Sequence, residues 1–306
     1  LSLSIQMNVT VVVAEKVLEF KVYLATVTCN RDFQEMLLQA ESIGKFVEPC
    51  RHIIIINEPN PNIKFWYKWL TPYYKNHELI ILPGYEDVSK THKITGKKLM
   101  GWTTQQVQKL FIGMKHEFLD DYILLDSKNF FVKPTKLDDF AHLIGAGGLV
   151  EIKHPYEETN EYYAEMLGLT PFEKVFPVIT PFVVKTKYLR KFWPNQVEDM
   201  MVHGVYTKGP KKGKEILVSE FLFYTYLVDK EELFALDNEY KRGLGRTIWD
   251  WSIDSLEHSL YQEDWNVYAI HREVIKKLYP SGFDFINTWL AEKGLTNKIR
   301  PRFIPS

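Results

Sequence analysis

The decapeptide YILLDSKNFF, Tyr122 to Phe131, decides how this chain reads. An apolar run of strand type ends abruptly in Asp126, Ser127, Lys128 and Asn129, so four polar groups stand where a strand gives way to a loop. In open α/β sheets ligands collect outside the carboxyl ends of strands, which makes this turn the first place to look for a site. A carboxylate in such a position often holds a divalent cation against a phosphate, but two residues on the chain carries Lys128 where a second acid would help.

The segments before it supply the rest of a sheet. Residues 20–28, FKVYLATVT, are rich in aromatic and β-branched types and predict a buried strand, followed by Asn30 and Asp32 as candidate helix caps. Phe33, Leu37, Ala40 and Ile43 or Gly44 then recur at helical spacing, and the pattern ends before Pro49. HIIIINE, His52 to Glu58, is a near-continuous branched run bounded by NEPNPN, as expected of a strand covered on both faces. Residues 63–75 read as a short aromatic helix, ELIILPGYED from Glu78 contains a third strand, 102–118 form a helix and 122–126 a fourth strand. This alternation predicts an α/β fold, a mostly parallel central sheet with helices on both faces. Right-handed crossovers put the strand exits on one rim, so Thr28, Asn57, the Gly84–Asp87 loop and Asp126 are expected to open toward one crevice.

The second half is less regular. LVEIKH and VITPFVVKT read as strands, 215–230 as a helix and VYAIH at 267–271 as a late strand. The break near residue 135 divides a nucleotide-type half, about 20–135, from an irregular half, about 136–280, that shapes a second substrate; a tail, 281–306, follows within the same domain.

With 306 residues, a net charge of -1 and 25% charged residues of nearly balanced sign, the chain lacks the general electrostatic footprint of a nucleic-acid binder. Its basic runs, KGPKKGK at 208–214 and Lys298 to Arg302, read as a solvated loop and a frayed end. Cys29 and Cys50 are too few for a disulfide framework, which points to a reducing compartment and a cytoplasmic protein. No apolar run has the length of a membrane span, and the start, LSLSIQMNVTVVVAEKV, lacks the basic segment and longer apolar core of a signal peptide. A chain that begins on leucine is expected to be trimmed, with Met7 an alternative initiator.

At 100° per residue, the helix before the fourth strand carries two stripes. Val107, Leu110, Phe111, Met114 and Phe118 form an apolar one; Trp102, Gln106, Lys109 and Gly113 form a narrow second one beside it. An aromatic wall, an amide, a cation and a place for close approach suit a half-buried face lining a cleft, although a Trp that caps the core and a Lys that snorkels explain the same residues structurally. Lys109 and Lys128 together bring two cations to the crevice, which suits an anionic ligand with a large polar body, such as a nucleoside diphosphate.

Four blocks, GWTTQQVQKL at 101–110, DYILLDSKNFFVKP at 121–134, FPVITPFVV at 176–184 and SEFLFYTYL at 219–227, resemble a bacterial and phage family of GT-A-type glycosyltransferases of unassigned substrate. The resemblance runs over residues 20 to 280 and implies a Rossmann-like GT-A fold that binds a nucleotide-sugar and moves its sugar to the hydroxyl of a glycan or glycoconjugate acceptor, in the cytoplasm or peripheral to a membrane-bound glycan pathway. The donor side would comprise Thr26, Thr28, Asn30, Asn57, Trp102, Gln106, Lys109, Asp126, Ser127, Lys128, Asn129 and His271. The acceptor side would comprise Thr180, Pro181, Ser219 and Trp249, with Trp251 as a further stacking or buried tryptophan. Asp126 falls on the first carboxylate of the family's Asp-x-Asp motif and Lys128 on the second. The resemblance therefore implies either Mn²⁺ or Mg²⁺ held by Asp126 and His271 or, in preference, a metal-independent mechanism in which Lys128 supplies part of the positive charge.

Glu220 is the first candidate for the base that accepts the acceptor's proton, ahead of Glu198 and Asp199, while a helix N-terminal acid with Ser219 as cap is its structural reading. A non-catalytic nucleotide-sugar or glycan-binding module and a nucleotidyltransferase are the alternatives. TVTCNRDF after the first strand lacks the Gly-x-Gly-x-x-Gly turn of a dinucleotide enzyme, and no strand is followed by a phosphate-cradling Gly-Lys-Ser/Thr element.

Overall fold

A computed structural model describes residues 23–91, 96, 98–99, 101–202, 217–238, 245–249, 252–262, 264–271, 274 and 277–299. The start of the chain, the 208–214 run, Trp251 and the tail from residue 300 lie outside the described residues.

Strands β1 (Tyr23–Thr28), β2 (Arg51–Ile56) and β3 (Glu78–Pro83) alternate with helices α1 (Phe33–Phe46) and α2 (Ile63–Leu70). Helix α3 (Gly101–Lys115) leads into β4 (Asp121–Leu125). The central sheet has five strands: β1 pairs in parallel with β2 and β4, and β2 with β3. The fifth, β8 (Phe182–Lys185), runs antiparallel to β4 along the edge. The predicted α/β class with a mostly parallel sheet is the one observed. The inner parallel strands are largely apolar because both of their faces are covered. Along β1, Leu24 packs with Met36, Ala40 and Ile43 of α1, while Ala25 and Val27 pack with Val107, Leu110 and Phe111 of α3. The same alternation sends Ile54 and Ile56 of β2 to one face and Ile53 and Ile55 to the other, each fully buried side chain contributing about 1.5–3 kcal/mol.

In the second half three of the four expected elements are shorter than the sequence predicts, and the late strand stands where it was expected. The VITPFVVKT strand is antiparallel and only Phe182–Lys185 long. VYAIH supplies β10 (Val267–Ile270), which lies in a separate three-stranded sheet between β5 (Asn129–Phe131) and β9 (Gly245–Ile248). LVEIKH shrinks to β6 (Val150–Glu151), paired with β7 (Lys174–Val175), and the 215–230 helix to α7 (Glu220–Leu227). Helix α3 stops at Lys115, which leaves Phe118 exposed instead of extending the apolar stripe. The remaining helices are α4 (Glu157–Leu167), α5 (Thr186–Leu189), α6 (Pro194–Val202), α8 (Lys230–Asn238), α9 (Ile253–Tyr261) and α10 (Ser281–Glu292).

The strand order β3-β2-β1-β4-β8 reverses direction between β1 and β4. Such a switch point leaves a crevice at the carboxyl ends of the two strands. Residues 126–128 bridge β4 directly to β5, so the small sheet stands over that crevice as its second wall.

Candidate functional site

A cleft of about 550 Å³ opens at this switch point. Arg31, Asp32 and Glu35 line it from beyond β1, Asp126, Ser127 and Lys128 from beyond β4, and Trp102, Gln105, Gln106 and Lys109 from α3. Glu220 and Phe221 close it from α7, Tyr156 from the segment before α4, and Trp249, Ile270 and His271 from the small sheet.

The Asp126–Asn129 turn is held from below. Asp126 N–H donates to Asn129 Oδ1 at 2.6 Å, and Gln39, fully buried in α1, donates to the carbonyls of Asp126 at 2.8 Å and Asn129 at 3.0 Å. Gln39 Oε1 in turn accepts from Thr26 Oγ1 at 2.9 Å. A buried amide of this kind is tolerated only because its donors and acceptor are matched. Ser127 Oγ donates to Asp32 Oδ2 at 3.0 Å, tying the β4 exit to the β1 exit across the switch point.

Above this frame runs a chain of charges. Lys109 Nζ lies 2.8 Å from Asp126 Oδ1 and 2.8 Å from Glu220 Oε1, and Lys128 Nζ lies 3.3 Å from Asp126 Oδ2. The Phe221 ring faces the Lys109 ammonium at 5.3 Å. With the Gln106 amide oriented to suit its neighbours, its N–H donates to the Glu220 carboxylate and its oxygen accepts from Trp102 Nε1 at 3.0 Å. Local sequence explains the geometry: Trp102, Gln106 and Lys109 share one side of α3, and Ser219 caps α7 by accepting from Leu222 N–H at 3.3 Å. Helix α7 is buried all round, and Glu220 is its one charged residue, placed at its N-terminal end.

Burial shapes these groups unequally. It alone would raise the Asp126 carboxyl, but the ammonium groups of Lys109 and Lys128 overcome it and hold Asp126 well below the usual carboxylate range. Burial likewise works against the Lys109 ammonium, and Asp126 and Glu220 outweigh it, keeping Lys109 charged. Glu220, 1% exposed, goes the other way: burial raises it and the shared Lys109 offsets only part of that. Nearby Tyr156 is also pushed up, by burial and then by the Glu220 charge.

The lysine readings therefore change. Lys109, 4% exposed, is committed to two carboxylates and offers no free charge, whereas Lys128 is 34% exposed and reaches the cleft. Arg31, Lys109 and Lys128 face Asp32, Glu35, Asp126 and Glu220, so the lining holds one carboxylate more than it has cations. Gly113 does not provide close approach to a ligand. A Cβ there would meet Thr186 Cγ2 and Tyr122 Cε1 at 2.9 Å, so this glycine serves the packing of α3 on β4 and α5.

Of the residues expected at the site, Trp102, Gln106, Lys109, Asp126, Ser127, Lys128, Glu220, Trp249 and His271 line the cleft. Trp249 and His271 stack with ring centroids 3.6 Å apart, Trp249 being 49% exposed. The others sit elsewhere. Thr26 is spent on Gln39 and on His52 Nε2 at 2.9 Å, and Thr28 is fully buried with no hydrogen-bond partner for its hydroxyl. Asn30 accepts from Trp66 Nε1 at 3.3 Å, and Asn57 holds α3 through Gly101 O and Thr104 Oγ1, both at 3.0 Å. Asn129 is framework, donating to Thr180 O at 3.2 Å, and Pro181 packs against Gly245. Ser219 is a buried cap, and Glu198 accepts from Ser89 N–H away from the cleft. Arg31, Glu35, Gln105, Tyr156 and Phe221 line the cleft without having been singled out in the sequence.

A divalent cation needs several oxygen ligands converging on one point. Both oxygens of Asp126 face ammonium groups, and among the described residues no group of three His, Cys, Asp or Glu converges on a point. The donor set as arranged does not fit Mn²⁺ or Mg²⁺.

No protein-family model matches the chain, and no curated protein sequence does. Among solved structures it is similar to the galactosyltransferase LgtC in complex with donor and acceptor sugar analogues, at 10% identity and a TM-score of 0.48, covering 91% of this chain and 97% of that one. Mouse xyloside xylosyltransferase 1 in its apo form is similar at 10% identity and a TM-score of 0.47, with 81% and 97% covered. Core-mannan synthase A from Aspergillus fumigatus, in its Mn/GDP form, is similar at 8% identity and a TM-score of 0.43, with 70% and 71% covered. At these identities the chemistry has to be read from the cleft's own residues.

Proposed function

We propose that the chain is a glycosyltransferase that moves a sugar from a nucleotide-sugar donor to an acceptor hydroxyl in the synthesis of a surface glycan or glycoconjugate. The observation that carries this reading is the position of the Asp126–Lys109–Glu220 chain, in a cleft at the switch point between β1 and β4, beneath the aromatic walls of Trp102 and Trp249. A nucleotide-sugar combines a flat base, polyhydroxylated rings and a diphosphate, and this cleft offers a surface for each.

In the proposed reaction the leaving diphosphate gains charge as the anomeric carbon becomes cationic, so a fixed cation beside it lowers the barrier. Lys128 takes that place, with Arg31 as the second accessible cation on the lining. Asp126, held ionised between two lysines, accepts hydrogen bonds from ribose or sugar hydroxyls. Glu220 is the proton acceptor for the incoming hydroxyl; its upward shift brings it closer to the working range of a general base. Lys109 and Gln106 hold Glu220 in place and do not touch the donor in this scheme. No step is assigned to a metal.

The test is thermal-shift screening against UDP-, GDP-, CMP- and TDP-sugars, followed by donor hydrolysis with the best binder. A tight ligand raises apparent stability with the logarithm of its saturation, so a stabilised sample that also releases free sugar supports transfer. Stabilisation without any hydrolysis would identify a binding module, and stabilisation by none of the panel would sink the reading.

A further inference from the structure

Helix α2 exposes a face that its own fold does not explain. Trp66 and Leu70 turn inward and are fully buried, while Phe65 and Trp69, one helical turn apart, are 41% and 46% exposed. Phe33 at the start of α1 joins them, with ring centroids 4.9 Å from Phe65 and 6.5 Å from Trp69. Two exposed rings thus form a patch that the half-buried Phe33 joins to the core.

The charge around the patch is one-sided. From Pro59 to His77 the chain carries Lys64, Lys68 and Lys75 and no acidic residue. All three lysines are exposed, and among the described residues none pairs with a carboxylate. Lys115, Lys133, Lys187 and Lys191 pair with Asp87, Asp264, Glu232 and Asp229, while Lys136, Lys153 and Lys230 are also exposed without a carboxylate partner among the described residues; what distinguishes Lys64 and Lys68 is that they run beside exposed rings. Lys64 and Lys68 form a row directly beside the Phe65–Trp69 row.

We infer that this face of α2 docks on an anionic lipid bilayer, with Phe65 and Trp69 at the level of the headgroups and Lys64, Lys68 and Lys75 on their negative charge. Rings at the acyl boundary combined with a basic rim are the chemistry of interfacial helices. Protein interfaces, by contrast, are depleted in lysine. A patch that only stacked sugars would not need Lys64 and Lys68 in a row along its edge, Lys68 lying 5.7 Å from the Trp69 ring centroid.

The patch adjoins the cleft. Asn30 takes the Trp66 indole N–H, and Arg31 and Asp32 of the same turn line the cleft immediately before Phe33. A bilayer on this face therefore lies beside the β1 wall of the cleft. The inference does not rest on the proposed reaction, because docking is measured without any donor.

The experiment is co-sedimentation of the whole chain with vesicles of phosphatidylcholine alone and with vesicles that also contain phosphatidylglycerol. Binding is expected only to the anionic vesicles and weakens as salt is added. In the triple variant K64Q/K68Q/K75Q the partition coefficient is expected to fall on the order of a hundredfold, each lysine near the surface counting for about tenfold or less. F65S/W69S, which changes exposed rings only, also lowers it, and an unchanged thermal midpoint shows that both variants fold. The inference is overturned by absence of binding to anionic vesicles at low salt, or by wild-type partition in both variants. It is equally overturned if the patch instead captures a single-stranded oligonucleotide, or drives self-association that F65S/W69S abolishes, with no vesicle binding.

Discussion

Lys109 and Glu220, 111 positions apart in the chain, form a buried ion pair of 2.8 Å, with 4% and 1% of their side chains exposed. The same ammonium serves Asp126, so one cation joins the end of β4 to the start of α7.

Removing that cation leaves the buried Glu220 carboxylate without its ammonium and leaves Asp126 with Lys128 alone. Breaking one side of a buried ion pair typically costs about 3–5 kcal/mol. Lys109→Met is therefore expected to lower the denaturant midpoint strongly, and Lys109→Met with Glu220→Gln to recover part of the loss. A single variant as stable as the parent would show that the pairing contributes nothing.

The two carboxylates make opposite contributions to the pH dependence of stability. Asp126 titrates in the folded state below its ordinary value near 3.8, so its contribution is present above that value and is lost as pH falls through the lowered one. Glu220 titrates above its ordinary value near 4.5, so between that value and the raised one the folded protein keeps a proton the unfolded chain has released. Stability from this group accordingly falls as pH rises through that window. Urea midpoints measured across mildly acidic pH are expected to show this decline in the parent and a flatter profile in Glu220→Gln; identical profiles would contradict the raised value.

If Glu220 is the proton acceptor, Glu220→Gln loses about 10²–10⁴-fold in turnover. Donor affinity is expected to hold, because Lys109 retains Asp126 as its partner. Turnover and nucleotide Kd measured on one preparation separate this role from a structural one. A Kd that weakens in step with turnover would make Glu220 a part of the binding frame.

Lys128 offers the cleft an accessible ammonium, and its loss touches little of the core. Lys128→Met is expected to weaken binding of the preferred nucleoside diphosphate by roughly 1.5–3 kcal/mol, the range for a hydrogen bond to a charged group, without moving the thermal midpoint of the free protein. Calorimetric titration reads this directly. The proposed scheme also expects transfer to survive exhaustive chelation, and complete loss that Mn²⁺ restores would remove Lys128 from its assigned role.

Gly113→Ala tests the packing reading of the α3 stripe. Its Cβ meets a methyl of Thr186 and the Tyr122 ring at 2.9 Å, and overpacking of this kind costs about 1–3 kcal/mol. Reduced stability with unchanged nucleotide affinity is the expected result. Lost affinity in a protein of normal stability would return Gly113 to the cleft.

What could be read in the chain beforehand follows from the range of the physics involved. The β2 and β4 strands were legible because burial on both faces writes itself as a near-continuous apolar run, β1 because aromatic and β-branched types crowd it, and the Asp126 turn because polar groups interrupt such a run. The Trp102, Gln106 and Lys109 side of α3 was legible by helical angle, but the angle could not tell that Gly113, farther along the same stripe, meets Tyr122 and α5. Arg31 and Glu35 carried no local signal: an acid in the first turn of a helix is explained by the helix alone, and a single arginine beside a helix start reads as solvated surface. Thr26 was placed on the donor side by resemblance, and nothing in its neighbourhood reveals that Gln39, thirteen residues on, consumes its hydroxyl. Lys109 read as a free cation for the same reason: its partners Asp126 and Glu220 are distant in sequence, and pairing with them reverses its meaning. The antiparallel direction of β8 and the assignment of β10 to a second sheet depend on long connections that leave no periodic trace.

The clamp that Gln39 places on the 126–129 turn separates the shape of that turn from the identity of its side chains. Both carbonyls are held by α1 and the Asp126 N–H by Asn129, so none of the ties described between the turn and the body of the protein runs through position 128. That position behaves as a socket. A lysine fitted there makes a turn that carries its own accessible cation, and an aspartate fitted in the same backbone would leave Lys109 as the one ammonium on Asp126. The two chemistries would then differ by one codon's worth of change on an unaltered scaffold.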